Sequence, residues 1–356
     1  MDGTDGARGT GPTMAAVARE AGVSVPTVSK VVNGRLGVAP ETRRRVALAA
    51  RRLGYARPTA PDPVARRPLV ELVTGGLDRP GTAAVLQAVE RAASGRGFGL
   101  LVSVVPPPER WRDATPDWLP QPRRRPAGGL LFHVRGLPPR VYGRLLEHGT
   151  RFVMVDPETA PPDEVPWVAT ANRLAGAQAA DHLLALGHRR IAVLTGPDGS
   201  PADRARVAGL RARLAGAGVA VPNALVRPGE PGRGSARRAV GELLARIDGR
   251  PTAVFVSSDT LAAAVLLEAA ARGVRVPDEL SVVAFGEPSP DWACAPALTT
   301  VCRPVAELAA EALALLLDGA VRAQQGPHWV ELPPVLRLGS STSPPAEAHL
   351  GEAARR

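Results

Sequence analysis

The sequence predicts an all-α helix-turn-helix headpiece followed by an α/β core of two doubly wound parallel-sheet subdomains. Three observations carry this. Residues 13–55 hold three short stretches of helical apolar spacing, broken at Gly22 and at Asn33-Gly34. Residues 56–68 (ARPTAPDPVARRP) carry four prolines and read as an extended linker. From Leu69 onward, short β-rich runs alternate with Ala-, Leu- and Arg-rich amphipathic segments, the pattern of right-handed βαβ units whose parallel strands are covered on both faces. At 356 residues the chain also exceeds the roughly 250–300 residues at which a single core stops growing.

Taken in order, residues 1–12 are rich in Gly, Thr and Asp, have no apolar period and are expected to be a disordered tail. The headpiece is assigned to 13–57. Met14, Val17, Ala18 and Ala21 follow helical spacing behind Thr13, a residue suited to capping, and Gly22 can supply the positive φ that ends the helix. Ser24 can cap a second helix running to Val32, in which Pro26 is tolerated because a first-turn N–H has no helical partner. A third helix starts near Pro40 and is expected to carry Val46, Leu48, Ala49 and Leu53 inward before Gly54-Tyr55. Three short helices with a tight glycine turn between the first two make a helix-turn-helix.

The linker is placed at 58–68 and the core at 69–343. Its apolar runs are LVELVTG, GLLVSVV, GGLLFHV, RFVMVD, RRIAVLTG, AVFVSSD and LSVVAFG. Two successive sets of such units predict two α/β subdomains with a cleft between them. Residues 106–128 form a loop-rich insertion with Trp111 and Trp118 on one helical face. Residues 344–356 are a polar tail expected to be disordered, without heptads for a tetramerisation helix.

Composition excludes several classes. No stretch approaches the roughly 20 apolar residues that cross a bilayer, and the first residues lack the apolar region of a signal peptide, so a cytoplasmic protein without membrane contact is expected. Cys294 and Cys302 are too few for a disulfide framework and have no Cys/His cluster for zinc; both are expected to be reduced and buried. Through Arg67 there are twelve basic residues against five acidic, a net +7 out of the chain's +10. That segment suits a polyanion, although Arg is the general cation of this chain, Lys30 being its one lysine, and composition alone leaves both readings open.

Residues 17–34 (VAREAGVSVPTVSKVVNG), with 38–43 (VAPETR) and 53–55 (LGY), closely resemble the DNA-binding headpiece of the LacI/GalR family of bacterial transcriptional regulators. The resemblance continues in 186–191 (LGHRRI), 276–283 (VPDELSVV) and 296–301 (PALTTV), covering about residues 13–343. It implies a homodimer reading a pseudo-palindromic operator in double-stranded DNA, and a core like the periplasmic sugar-binding proteins whose cleft takes a small effector, expected to be a sugar. On that pattern the N-subdomain is about 69–170 with 301–329, and the C-subdomain about 171–300 with 330–343.

With the second helix in the major groove, Val25 and Pro26 at its N-terminus face base edges, where apolar groups touch thymine methyls but make no bidentate hydrogen bonds. Lys30, one turn on, can donate to guanine O6 and N7; family members often have Arg there. Ser24, Thr27 and Ser29 carry hydroxyls suited to phosphates, and Thr42 and Arg43 at a helix start suit a phosphate through side chain and backbone together. Asn33 can approach a base or cap the helix end, and Tyr55 completes the DNA-binding set. Ordinary capping and solvation is the competing reading for these polar residues.

The linker departs from the pattern. The family commonly has a hinge helix there, whose Leu wedges into the minor groove. Pro58, Pro61 and Pro63 prevent a regular helix, and Val64 is the nearest apolar candidate for the wedge.

In open α/β sheets ligands sit beyond the C-terminal ends of the strands. By resemblance, Asp259 accepts hydroxyl hydrogen bonds, Arg204 grips effector oxygens through its fork, and Asn172 lies at the crossing between subdomains. Asp259 also suits the N-cap of the helix that follows. Trp292 and Phe132 are candidate aromatic walls, and His133 ends the same strand, where a structural role is the plainer reading. The loop 74–82 lacks the family's stacking group, and Gly286 stands where the family usually has Asp. No catalytic residue, metal site or cofactor is expected. There is no glycine-rich dinucleotide motif, phosphate loop or nucleophile elbow, and His182 and His188 are six apart, off the spacing of a helical metal site. An enzyme is the remote alternative, and a secreted sugar-binding protein would not carry the headpiece. The expected function is a repressor of carbohydrate-related genes, controlled by an effector or, alternatively, by a protein partner or constitutive.

Overall fold

The first helix begins where the sequence supplies a cap. In the computed structural model, Thr13 Oγ1 accepts from the Ala16 N–H at 3.3 Å and opens α1 (Met14–Ala21), which Gly22 closes at φ 61°. Ser24 Oγ accepts from the Thr27 N–H at 3.4 Å at the start of α2 (Val25–Val32), and α3 (Pro40–Arg52) has proline in its first turn. Val17, Ala18, Ala21, Val28, Val46 and Ala49 form the core of this unit, with Leu53 and Tyr55 packed on it. Arg45 reaches back to donate to the carbonyls of Ala21 (2.6 Å) and Gly22 (3.2 Å), pinning the turn between α1 and α2. Leu48, expected to face inward, is 52% exposed. At 100° per residue it lies about 200° round the helix from Val46, whereas Ala49, Ala50 and Leu53 share the buried side.

The structure describes residues 13–32, 37–53, 55, 67–77, 81–106, 128–196, 200–229, 233–245, 250–287, 296–322 and 328–346. Asn33, Pro58, Pro61 and Pro63 with Val64, residues 107–127 with Trp111 and Trp118, Trp292, Cys294 and both predicted tails, except Pro344, Pro345 and Ala346, lie outside them. The chain divides into two compact units, Met1–Arg66 and Arg67–Arg356.

The second unit holds two six-stranded sheets. The first is built of β1 (Leu69–Thr74), β2 (Gly99–Val104), β3 (Gly129–His133), β4 (Phe152–Val155), β5 (Trp167–Thr170) and β11 (Trp329–Leu332), all paired parallel in the order β11-β5-β4-β3-β1-β2. The second is built of β6 (Ile191–Thr195), β7 (Val226–Pro228), β8 (Ala253–Val256), β9 (Ser281–Gly286), β10 (Thr299–Cys302) and β12 (Val335–Arg337), in the order β12-β10-β9-β8-β6-β7. Its pairings are parallel except that β12 runs antiparallel to β10.

Helices cover both faces of each sheet, as near-continuous apolar strands require. On the first, α4 (Thr82–Gly95) and α10 (Val305–Arg322) bury Val70, Leu72, Leu131 and Val153, and α5 (Pro139–Glu147) buries Leu130, Phe132 and Met154 on the other side. On the second, α6 (Asn172–Ala185) and α7 (Pro201–Gly216) pack on Ile191 and Val193, while α8 (Arg233–Leu244) and α9 (Asp259–Ala271) pack on Ala192 and Leu194. This is the period-2 alternation of a strand buried on both sides.

The chain passes between the sheets three times: after β5, after β10 and after β11. The last passage falls between Leu332 and Val335, so 330–332, expected in the second sheet, belong to the first. There Trp329 pairs with Trp167 and their rings stack at 5.3 Å. Among the described residues no helix is long and apolar enough to cross a membrane.

Candidate functional site

In the headpiece, α2 is anchored by one fully buried residue, Val28, and presents its opposite side to solvent. Ser24, Val25, Pro26 and Lys30 are exposed, and Thr27 and Ser29 are half-buried. Four-residue spacing stacks Pro26 under Lys30 and Val25 under Ser29, so the apolar pair and the cation share one side of a short rod. The Ser24 and Thr27 hydroxyls are 2.9 Å apart, which makes them a local cap first. Thr42 and Arg43 are half-buried in the first turn of α3. Tyr55 differs: its ring lies against the headpiece core, and its N–H donates to Ala50 O at 2.8 Å.

In the second unit, the C-terminal strand ends of both sheets border a cavity of about 270 Å³. That is close to the lower limit of roughly 300 Å³ for small-molecule pockets. Thr74 and His133 reach it from β1 and β3, Asp156 from the residue after β4, Ser257 from behind β8, Glu287 from behind β9 and Arg303 from behind β10.

Charge dominates the lining. Arg303 donates from Nε to Glu287 Oε1 (2.6 Å), from Nη2 to Glu287 Oε2 (2.5 Å) and from Nη1 to Asp156 Oδ2 (3.1 Å). Asp156 follows β4 and Glu287 follows β9, so this ion triad spans the two sheets. Asp156 has φ 51°, a left-handed backbone that Asp tolerates better than most residues, and its other oxygen accepts from the Thr170 N–H at 2.9 Å. Burial alone would raise its pKa, but the Arg303 charge and the Thr170 N–H hold it below the usual carboxylate value. Burial disfavours the Arg303 cation, yet Glu287 more than offsets this and the net shift is upward.

A second cluster lies on α6 and α7. Gly176 and Gly209 let these helices touch: a Cβ at Gly209 would fall 1.9 Å from Arg173 O, and one at Gly176 1.8 Å from Arg206 O. The contact brings Arg206 Nη1 to donate to Asn172 Oδ1, while Nη2 donates to Asp203 Oδ1 at 2.5 Å. The guanidinium lies 4.1 Å over the Phe285 ring. Burial lowers the Arg206 pKa against the opposing pull of Asp203. Its Nε, buried in the wall, has no hydrogen-bond partner among the described residues. At the rim Arg135 pairs with Glu158 at 2.7 Å.

The structure brings together some expected residues and displaces others. Asn172 lines the cavity. Arg204 does not: it is exposed, and Arg206 takes the inward position because two residues turn a helix by about 200°. Phe132 is fully buried against Phe152 on the α5 side, and the next residue, His133, lines the cavity instead. Asp259 is the first residue of α9, not its cap; Ser258 Oγ caps the helix through the Leu261 N–H at 3.2 Å. The side chain of Asp259 and all of Trp292 are outside the described residues.

The sequence reading missed Asp156, Glu287 and Arg303. The same strand-end rule, applied to RFVMVD and to TTVC, would have found Asp156 and Arg303. Cys302, just before Arg303, is buried and free, its thiol pushed up to about 11 by burial. Among the described residues no group of His, Cys, Asp and Glu is arranged to hold a metal.

Residues 13–58 match the bacterial regulatory proteins of the lacI family, and residues 180–342 match the periplasmic binding protein-like domain. The chain is 34% identical to an uncharacterized HTH-type transcriptional regulator in the aml 5' region of Streptomyces limosus, over 93% of this chain and 94% of that one. Among solved structures it is similar to a complex of the transcriptional regulator CelR with cellobiose, at 30% identity and TM-score 0.63, covering 93% of this chain and 99% of that one. It is also similar to the lac repressor dimer bound to operator and the anti-inducer ONPF, at 25% identity and TM-score 0.64, covering 94% and 100%.

Proposed function

The chain belongs to the LacI family of bacterial regulatory proteins and is a DNA-binding transcriptional regulator, not an enzyme; from that premise we propose that it is a cytoplasmic, homodimeric repressor of carbohydrate-related genes. Its α2 face, Val25, Pro26 and Lys30, reads a major groove, with Ser24, Thr27, Ser29, Thr42 and Arg43 on phosphates. Two-fold symmetry makes the operator pseudo-palindromic. The effector is a small neutral saccharide held between the strand ends of the two sheets.

One observation carries the effector reading. The cavity of about 270 Å³ is lined by hydroxyls, by Asn172 and by charges already balanced within the wall, and the buried Nε of Arg206 is a donor without a partner. Such a wall suits an uncharged ligand rich in hydroxyls, each able to donate to a carboxylate and accept from a guanidinium. The cellobiose in the similar CelR complex supports the same class. A second reading, control by a protein partner, draws on the charges being partnered internally, since Arg135, Arg206 and Arg303 each hold a carboxylate.

The test is binding of the purified protein to its own genomic fragments at fixed salt, with and without a panel of mono- and oligosaccharides. Tight binding to a pseudo-palindromic site that one saccharide releases is the expected result. Tight binding that no saccharide alters would transfer control to a partner.

A further inference from the structure

The balance of charge in the cleft depends on one side chain. Among the described residues the cavity is lined by Arg135, Arg206 and Arg303 and by Asp156, Glu158 and Glu287. Arg135 and Glu158 satisfy each other at the rim, and Arg206 is held by Asp203 and Asn172. That leaves Arg303, which is half-buried, with 15% of its side chain exposed, and gives two of its three hydrogen bonds to Glu287. A fork of this geometry also matches a phosphate or a ligand carboxylate.

The surroundings favour an anion at that spot. Gly81 caps α4 with φ 77° and offers no side chain to the helix's first N–H groups. A Cβ there would fall 2.6 Å from Glu287 Oε2 and 2.0 Å from Arg303 Nη2, so both charged heads lie against the residue that opens a 14-residue helix. Glu287 is thus an internal anion, seated on a guanidinium fork beside a helix N-terminus.

We infer that Glu287 sets the charge class of the cleft's ligand: by occupying Arg303 it excludes phosphorylated and acidic ligands and keeps the cleft for neutral ones. The inference rests on reading the cavity as the effector site. It assigns the exclusion to a single carboxylate, and loss of that carboxylate turns the cleft into an anion site.

The experiment titrates inorganic phosphate into the full-length protein by calorimetry, with thermal melting as the check on folding. Wild type is expected to give no saturable heat at millimolar phosphate. Glu287→Gln is expected to bind phosphate at least about tenfold more tightly, and the gain is expected to vanish in the Glu287→Gln/Arg303→Gln double variant. A cooperatively melting Glu287→Gln protein with unchanged phosphate affinity overturns the inference. So does a gain that survives in the double variant. If Glu287→Gln does not melt cooperatively, Asp156→Asn, which frees only Nη1, is expected to give a smaller gain of the same sign, and no gain there is equally fatal. The phosphate readings stand whether or not a saccharide binds wild type, so failure of the effector reading is seen separately, in the saccharide titrations.

Discussion

The headpiece and the cleft assign their working residues in opposite ways. In α2, Val28 holds the helix to its unit while Val25, Pro26 and Lys30 are exposed. In the cleft, Asp156, Glu287, Arg303, Asn172 and Arg206 line the cavity and are simultaneously the ties between segments distant in sequence, Arg303 reaching Asp156 across 147 residues. On the proposed function, recognition and folding are separable in the first region and fused in the second. Substitutions should therefore lose function without stability in the headpiece, and lose both in the cleft.

Arg303→Ala should have the largest effect. It strands two half-buried carboxylates, and the loss should approach the roughly 3–5 kcal/mol that removing one partner of a fully buried pair costs. The pH dependence gives a signature. In wild type the Asp156 pKa is depressed by folding, so its contribution is present above the unfolded carboxylate range near pH 4 and is lost as pH falls below it. In the variant the Arg303 charge is gone while burial and the Thr170 N–H remain, so the Asp156 pKa rises relative to wild type and the deficit should narrow as pH is lowered from 7 toward 4. Thermal melts of both proteins across that range measure this; a deficit that widens on acidification would disprove the triad's role.

Gly209→Ala comes next. Its methyl would meet the backbone oxygen of Arg173 at 1.9 Å, and overpacking of this kind costs about 1–3 kcal/mol. Since the same helix contact brings Asn172 to Arg206, ligand affinity should fall together with the melting temperature. An unchanged melting temperature would mean that α6 and α7 do not approach so closely.

Lys30→Ala should break the pattern from the other side. Loss of about 1–3 kcal/mol in specific operator affinity is expected, with little change on random DNA and an unchanged melting temperature. Equal loss on both DNAs would make Lys30 a phosphate contact, and a lowered melting temperature would deny the separation of folding from recognition.

The same contrast explains what was legible in the sequence. Caps at Thr13 and Ser24, the glycine stop at Gly22 and the alternating strands were readable because each depends on residues within one turn or one strand. The exposed side of α2 follows from eight consecutive positions. The cleft does not, because the ties of Arg303 join residues 16 and 147 apart, and spacing alone carries no information on which strand ends meet. Resemblance pointed to Arg204, whereas Arg206, half a helical turn on, is the arginine that lines the cavity. Phe132 and His133 differ in the same way on a strand, where one residue reverses the side chain's face.

The smallest effect tests the helical phase of the headpiece directly. Leu48 is a large apolar residue that local spacing had assigned to the core, and it is more than half exposed on α3. If the buried face of α3 is the one through Val46, Ala49 and Leu53, Leu48→Gln leaves the fold within about 0.5 kcal/mol, the usual range for a surface change. Val46→Ala, by contrast, removes two buried methyls and should cost about 1–2 kcal/mol. Amide exchange in α1 and α2 of the full chain reports both, since those helices stay closed only while α3 is packed on them. Protection in Leu48→Gln should stay within about twofold of wild type and drop severalfold in Val46→Ala. Equal losses in the two variants would mean that Leu48 is covered, and the headpiece would then owe its fold and its contacts to the same residues, as the cleft does.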